Sequence, residues 1–351
     1  MIALRQLTGA RGIAAWAVVF YHLRLSIPGL PAPVESAMAK GYLAVDFFFL
    51  LSGFVIWLAW HDRIAGETWR FWQKRVARVW PLHLAMLGVA IALALIMAAR
   101  GKPDPLFPWT QLPLHLLLIQ QWGLASALDW NTPAWSISAE WAAYLLFPLL
   151  VRWVDWRRWS TPALVLAAAM VLILLPSIMG LGTLGRDIPC FGLLRCLVEF
   201  TTGTMLASLF LRGGGVRAPL VLGLLLLTAA LLGAPETLVV PASLAALLLA
   251  LARAPAGPLA SRVPHWLGEI SYATYLSHYL LWKLVKLALP AGPVPPLAIL
   301  IYLLFVLGGS HLLYFRLELP AQRWINARAL LRRNDAVRCA LAEHGAQDRV
   351  L

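Results

Sequence analysis

Apolar residues run along this chain in blocks long enough to cross a bilayer, and each block is closed off by arginine, proline or glycine. A helix needs about 20 residues for the crossing. Blocks of that order stand at 9–27, 41–60, 79–99, 133–151, 161–180, 192–211, 216–233, 237–252, 267–288 and 296–315. Another apolar piece, 112–122, lies between Pro113 and the Gln120–Gln121 pair. It is too short to span and reads as a re-entrant or interfacial helix. The pattern therefore predicts an all-α, polytopic membrane protein with about ten transmembrane helices. Residues 1–325 form the transmembrane domain, and 326–351 form a basic tail. No repeat of 20–50 residues and no low-complexity segment interrupts this layout.

Composition narrows the class further. Charged residues make up 13% of the 351 positions and hydrophobic ones 61%. Soluble domains carry about 25% charged residues, so a water-soluble globule is excluded, and disorder is excluded by the hydrophobicity. The net charge of +13 is explained by topology rather than by nucleic acid, because basic residues gather in loops on the cytoplasmic side. With the N-terminus inside, one inner loop holds Arg63, Arg70, Lys74, Arg75 and Arg78, the next holds Arg152, Arg157 and Arg158, and the tail is arginine-rich. Making 112–122 a full span would carry Arg152, Arg157 and Arg158 outside, against that bias. Both termini are accordingly expected in the cytoplasm. The three cysteines, Cys190, Cys196 and Cys339, form no CxxC pair or His/Cys cluster, so no metal site is expected.

A charged side chain in hydrocarbon costs about 2.5–3.5 kcal/mol on insertion scales and marks a functional candidate. Arg11 and His22 are eleven residues apart, which at about 100° per residue puts both on one face of the first helix, roughly 16 Å apart along its axis. The arginine would lie near the inner headgroups, where it can bind phosphate or simply snorkel. The histidine would lie well across the bilayer, able to move a proton or to make an interhelical hydrogen bond. Asp46, in Val45-Asp46-Phe47-Phe48-Phe49, needs a partner. His22 on the neighbouring helix would give it the orienting role of a triad acid, while a salt bridge or cap would make it structural. Glu140 follows Ser136 by one turn and is bracketed by Trp135 and Trp141. It could hold a proton or a sugar hydroxyl, or cap or pair with a cation. Arg195 and Glu199, also one turn apart, are expected to satisfy each other. His278 lies on a stripe with Tyr275 that could line a cavity. Arg75 and Arg78 are three apart in a basic, aromatic segment (Trp69 to Pro81), and on a helix they fork toward one point. That fork would clamp a polyphosphate, or the segment would serve only as an interfacial anchor.

Together these pieces resemble the acyltransferase 3 family of integral-membrane acyltransferases. The matching text is LTGARGIAA with His22 (the R-x10-H pattern), GYLAVDFFFLLSG at 41–53, KRVARVWP at 74–81 (R-x-x-R), Trp135-Ser136 followed by Glu140, the stretch Ile270–His278, and Leu317-Glu318-Leu319-Pro320. Thr8-Gly9-Ala10 replaces a more usual Asp-Gly-Leu before the arginine. The resemblance implies a bacterial cytoplasmic (inner) membrane enzyme. It would take an acyl group, acetyl by default, from cytoplasmic acyl-CoA to a hydroxyl of a cell-envelope glycan or exopolysaccharide precursor. Arg11, Arg75 and Arg78 would bind CoA, and His22 would be the general base with Asp46 orienting it. Glu140 would position the acceptor, and Trp135, Ser136, Tyr275 and His278 would line its site. No metal and no nucleic acid are implied; the lipid bilayer and a homo-oligomer are the other expected partners. Two other readings stand beside this one: an acyltransferase of the same family acting on a small molecule or lipid, and a secondary transporter or flippase.

Overall fold

The computed structural model describes residues 4–328 except 28, 126 and 290–292. Helices cover every one of the ten apolar runs. They are α1 (Arg5–Leu23), α3 (Ala44–Trp60), α4 (Ile64–Ala99), α6 (Ala134–Trp153), α7 (Thr161–Met179), α8 (Ile188–Leu211), α9 (Arg217–Leu231), α10 (Glu236–Arg253), α12 (Ser271–Ala288) and α13 (Pro296–Leu313). Shorter helices α2 (Ala32–Ala39), α5 (Leu112–Leu117) and α11 (Arg262–Glu269) lie in the connections. Among the described residues there is no strand. Of the basic tail, only residues 326–328 are described; the rest lies outside the described residues.

Seven helical stretches are both long and apolar enough to cross a membrane: Ala32–Trp60, Ile64–Ala99, Ala134–Trp153, Thr161–Met179, Ile188–Leu211, Glu236–Arg253 and Pro296–Arg328. The protein is an integral membrane protein. Helices α1, α9 and α12 fall short of the same standard. Helix α9 has only 15 residues, about 22 Å of helix. The other two carry the polar residues singled out above, Arg11 and His22 on α1 and Tyr275 and His278 on α12.

Two differences from the sequence reading bear on the site. The basic segment around Arg75 is not a separate interfacial helix: it runs on into the membrane as one helix, α4, broken only at Glu67 (φ −129°, ψ 26°) and passing through Pro81. The arginine fork therefore hangs from the same rigid rod that enters the bundle. The 112–122 piece forms a helix only over Leu112–Leu117 and stops at Leu118, whose φ of 55° is left-handed. Trp130 N donates to Leu106 O at 2.7 Å, so the intervening chain enters and leaves on one side. Ser138 Oγ donates to Leu118 O at 2.8 Å, and Asn131 Nδ2 to Leu276 O at 2.8 Å. The loop is thus fastened to α6 and α12, with Leu118 and Trp130 buried.

Helices α3 and α8 form the closest pair in the core. A Cβ on Gly53 would strike the Phe200 carbonyl, and one on Gly203 the Leu50 carbonyl. Only glycine lets these backbones touch, and that contact brings Asp46 of α3 beside Arg195 of α8.

Candidate functional site

A cavity of about 640 Å³ runs into the bundle between α1, α3, α4, α6 and α12. Its mouth lies where α1 begins and α3 ends, at Leu4, Leu58, Ala59 and Leu211. Its floor is set by Phe48, Phe49, Ser136 and Tyr275. From Ala59 to Phe48 along α3 is eleven residues, about 16 Å of depth. The wall made by α3 is mostly apolar, while α1, α4, α6 and α12 contribute the polar groups.

Arg11, Arg75 and Arg78 all line this cavity, so α1 and α4 bring together the three cations that the sequence grouped by chemistry alone. The Arg75 guanidinium lies between aromatic rings, 5.8 Å from the Phe71 centroid and 5.7 Å from that of Tyr144, and its buried Nε has no hydrogen-bond partner. Arg78 stands 5.2 Å over the Tyr272 ring and is ion-paired with Glu318. That carboxylate is buried by a turn of π-helix, Tyr314–Glu318, which follows α13 and turns Glu318 inward. It also accepts from Gln322 Nε2 at 3.2 Å. The sequence reading quoted Glu318 within a motif but gave it no partner; the local signal was a lone carboxylate two residues before Pro320.

Glu140 lines the same cavity, within electrostatic range of Arg11. Ser136 and Tyr275 meet at the floor, their hydroxyls 2.7 Å apart, and Tyr275 donates to Pro133 O at 3.1 Å. Ser52, Tyr144 and Tyr272 complete the polar lining, with Ser52 Oγ 3.3 Å from the Tyr144 hydroxyl. Sequence reasoning quoted Ser52 and Tyr272 within motifs without giving either a role of its own and missed Tyr144, although Tyr144 lies one turn beyond Glu140. Trp135 does not face the cavity: it packs edge-on against Phe49 at 5.9 Å and under the Arg195 guanidinium at 5.7 Å.

His22 lies beyond the floor and does not line the cavity. The Tyr275 ring is 6.2 Å from the His278 ring, and the His278 ring 5.0 Å from that of His22. His278 Nε2 and His22 Nδ1 are 3.1 Å apart. The two residues on one face of α1 therefore do share an axis, with Arg11 on the cavity wall and His22 past its end. Tyr275 and His278 stand between the cavity and His22.

Asp46 does not meet His22. It receives Arg195 Nε at 2.6 Å through one carboxylate oxygen and Nη2 through the other, and both side chains are fully buried. The expected Arg195–Glu199 pair is accordingly absent, and both Glu199 oxygens are buried without a hydrogen-bond partner. The physical reason is the glycine contact between α3 and α8: it delivers a carboxylate from across the interface in the planar, two-pronged geometry that a guanidinium matches best. Among the described residues no cluster of three His, Cys, Asp or Glu side chains could hold a metal ion.

Comparison with known proteins identifies relatives of the chain. A family model described as an acyltransferase domain matches residues 4–315. Acyltransferase MdmB of Streptomyces mycarofaciens is 34% identical over 312 residues, covering 80% of this chain and 79% of that protein. Protein 2 in the picA locus of Rhizobium radiobacter is 29% identical over 184 residues, which is 48% of this chain and 91% of that protein. O-acetyltransferase OatA of Staphylococcus aureus is 26% identical over 172 residues, 43% of this chain and only 26% of OatA. No solved structure matches.

Proposed function

The chain belongs to the acyltransferase 3 family, and on that footing we propose that it takes an acyl group, acetyl in the first instance, from cytoplasmic acyl-CoA to a hydroxyl-bearing acceptor. The acceptor is a cell-envelope glycan or exopolysaccharide precursor, and the setting is a bacterial inner membrane with ten helices crossing it and both termini inside. The observation that carries the donor assignment is the cavity itself. Three arginines line one chamber between its mouth and its floor, beside a largely apolar wall on α3, and the floor carries the hydroxyls of Ser136 and Tyr275. A nucleotide polyphosphate fits the arginines and a thin thioester arm the apolar wall. Arg75 and Arg78 would grip phosphate oxygens with charge-assisted bonds, and Arg11 would supply the third cation. Ser136 and Tyr275 would lie at the thioester carbonyl.

In this reading Tyr275 is the shutter between donor and acceptor, and its displacement joins the cavity floor to the histidine pair. His22 takes the proton of the acceptor hydroxyl as general base. The hydroxyl oxygen bonds to the acyl carbon, the carbon–sulfur bond breaks, and His22 returns the proton to the thiolate, leaving an ester and free CoA thiol. Asp46 has no part in orienting that base; it holds α3 to α8. Direct transfer is favoured over an acyl-enzyme because no serine or cysteine is paired with His22.

One observation favours a second reading: Glu140 lines the cavity and His22 does not. Glu140 would then be the base, and donor and acceptor would share one chamber, which suits a small-molecule or lipid alcohol met on the cytoplasmic side. Radiolabelled acetyl-CoA, presented with envelope glycan, a macrolide alcohol and a fatty alcohol in turn, separates these readings. Label on glycan with His22→Ala inactive supports the first. Label on a small alcohol with Glu140→Gln inactive supports the second. Substrate movement across the membrane without label transfer would mean a carrier and sink both.

A further inference from the structure

Resting on the proposed role of His22, we infer that His278 is its positioning residue, fixing the tautomer that leaves the outer nitrogen of His22 free to accept a proton. Carbonyl oxygens only accept, so each carbonyl contact identifies a ring nitrogen that carries hydrogen. His278 Nδ1 is 3.2 Å from Thr274 O, one turn back on α12, and therefore bears the proton. In a neutral imidazole the other nitrogen is then a lone pair, so His278 Nε2 is an acceptor. His22 Nδ1 is 3.1 Å from Val18 O and 3.1 Å from that His278 Nε2. Facing two acceptors, it must donate. Its proton sits on Nδ1, and Nε2 is bare.

The arrangement does for His22 what a triad carboxylate does for its histidine: it holds the ring, sets the tautomer and receives the N–H that persists when the ring becomes an imidazolium. Here the orienting group is neutral and is itself oriented by its own helix backbone. The Tyr302 hydroxyl donates to His278 O at 3.2 Å and pins the same turn of α12 from α13. His278 has no exposed surface, whereas His22 is only partly buried, so the pair has one sealed member and one that faces the acceptor. The other groups around His22 leave this tautomer in place. Tyr21 of α1 and Arg24 just after it stack on each other at 4.1 Å, and the Tyr21 ring meets His22 edge-on at 4.9 Å. From α12, Tyr279 meets it edge-on at 5.5 Å. Tyr42, from the chain leading into α3, meets the Tyr21 ring at 5.5 Å and gives its hydroxyl to Glu236.

The test uses the full chain in lipid nanodiscs with radiolabelled acetyl-CoA. Transfer rate and acetyl-CoA affinity are measured separately, because His278 lies outside the donor cavity. His278→Ala is expected to cut transfer by about a hundredfold, less than the roughly ten-thousandfold of a triad that loses a charged orienting acid, while the acetyl-CoA dissociation constant moves by less than about twofold. His278→Gln puts an amide oxygen near the Nε2 position and is expected to restore most of the rate. His278→Asn puts it near Nδ1 and is not. If the alanine protein does not fold, the glutamine–asparagine pair decides, and equal activity in the two overturns the inference. Near-normal transfer by His278→Ala, with His22→Ala inactive, also overturns it while leaving His22 as the base. Normal transfer by His22→Ala removes the reading on which the inference rests.

Discussion

Asparagine in place of Asp46 separates architecture from chemistry at a residue whose sequence context fits either. Asp46 and Arg195 are 0% and 1% exposed, and the guanidinium is further committed to Leu184 O at 3.2 Å. Asparagine leaves that cation buried with no carboxylate bonded to it. Removing one partner of a buried pair costs about 3–5 kcal/mol, a large part of the roughly 5–15 kcal/mol by which folded proteins are stable. Tryptophan fluorescence during thermal unfolding in nanodiscs is expected to show the loss, and size exclusion a smaller folded fraction. A triple variant, Asp46→Leu with Arg195→Met and Glu199→Gln, removes both charges and the neighbouring unpartnered carboxyl. It is expected to regain most of the stability, since the desolvation cost disappears along with the charges, and transfer should follow the folded fraction. A triple variant that folds as well as wild type but transfers nothing would refute the structural assignment. So would an Asp46→Asn protein as stable as wild type.

Other outcomes follow from the same geometry. Arg75→Ala with Arg78→Ala should weaken acetyl-CoA binding by about tenfold or more for each lost charge-assisted bond of about 1.5–3 kcal/mol, and binding to wild type should weaken with salt; titration calorimetry at two ionic strengths checks both. Gly203→Leu should block the α3–α8 contact and abolish folded protein on size exclusion, whereas Gly88→Leu, with open space around it, should be tolerated. Asp104, which lies between α4 and α5, gives a pH prediction. Burial raises its carboxyl, but the hydrogen bond from Lys283 at 2.7 Å and that from Leu106 N outweigh this and lower it overall. A depressed folded value means that its contribution is present above the ordinary aspartate range near pH 3.9 and is lost as pH falls through the lower folded value. Acid unfolding of Asp104→Asn should therefore lack the part of the transition that wild type shows below about pH 3.9.

The apolar blocks marked helices correctly because burial in lipid leaves few alternatives to a helix. They were less informative about crossing, since α1, α9 and α12 lie over predicted spans yet lack either the length or the apolarity of the other seven stretches. Two kinds of site information were legible at different ranges. Arg75 and Arg78 are near neighbours on one helix, and Arg11 shares their chemistry, so periodicity and residue type sufficed to group them. Asp46–Arg195 and His22–His278 are contacts between helices 149 and 256 residues apart, and nothing in one segment specifies its partner in the other. Choosing His22 as the partner of Asp46 was economical in charge but ignored Gly53 and Gly203, the small residues that draw α8 against α3. The continuous helix through Pro81 was hidden for a related reason: a proline reads locally as a stop, while the packing of α4 against α6 and α12 overrides it.

The most direct test is transfer of label from acetyl-CoA by His22→Ala protein whose affinity for acetyl-CoA has been measured in the same preparation. Donor binding is expected to be unchanged and transfer lower by about a hundredfold or more, the range that follows loss of a general base. Transfer at the wild-type rate, with Glu140→Gln inactive in parallel, would contradict this expectation and place the base inside the cavity.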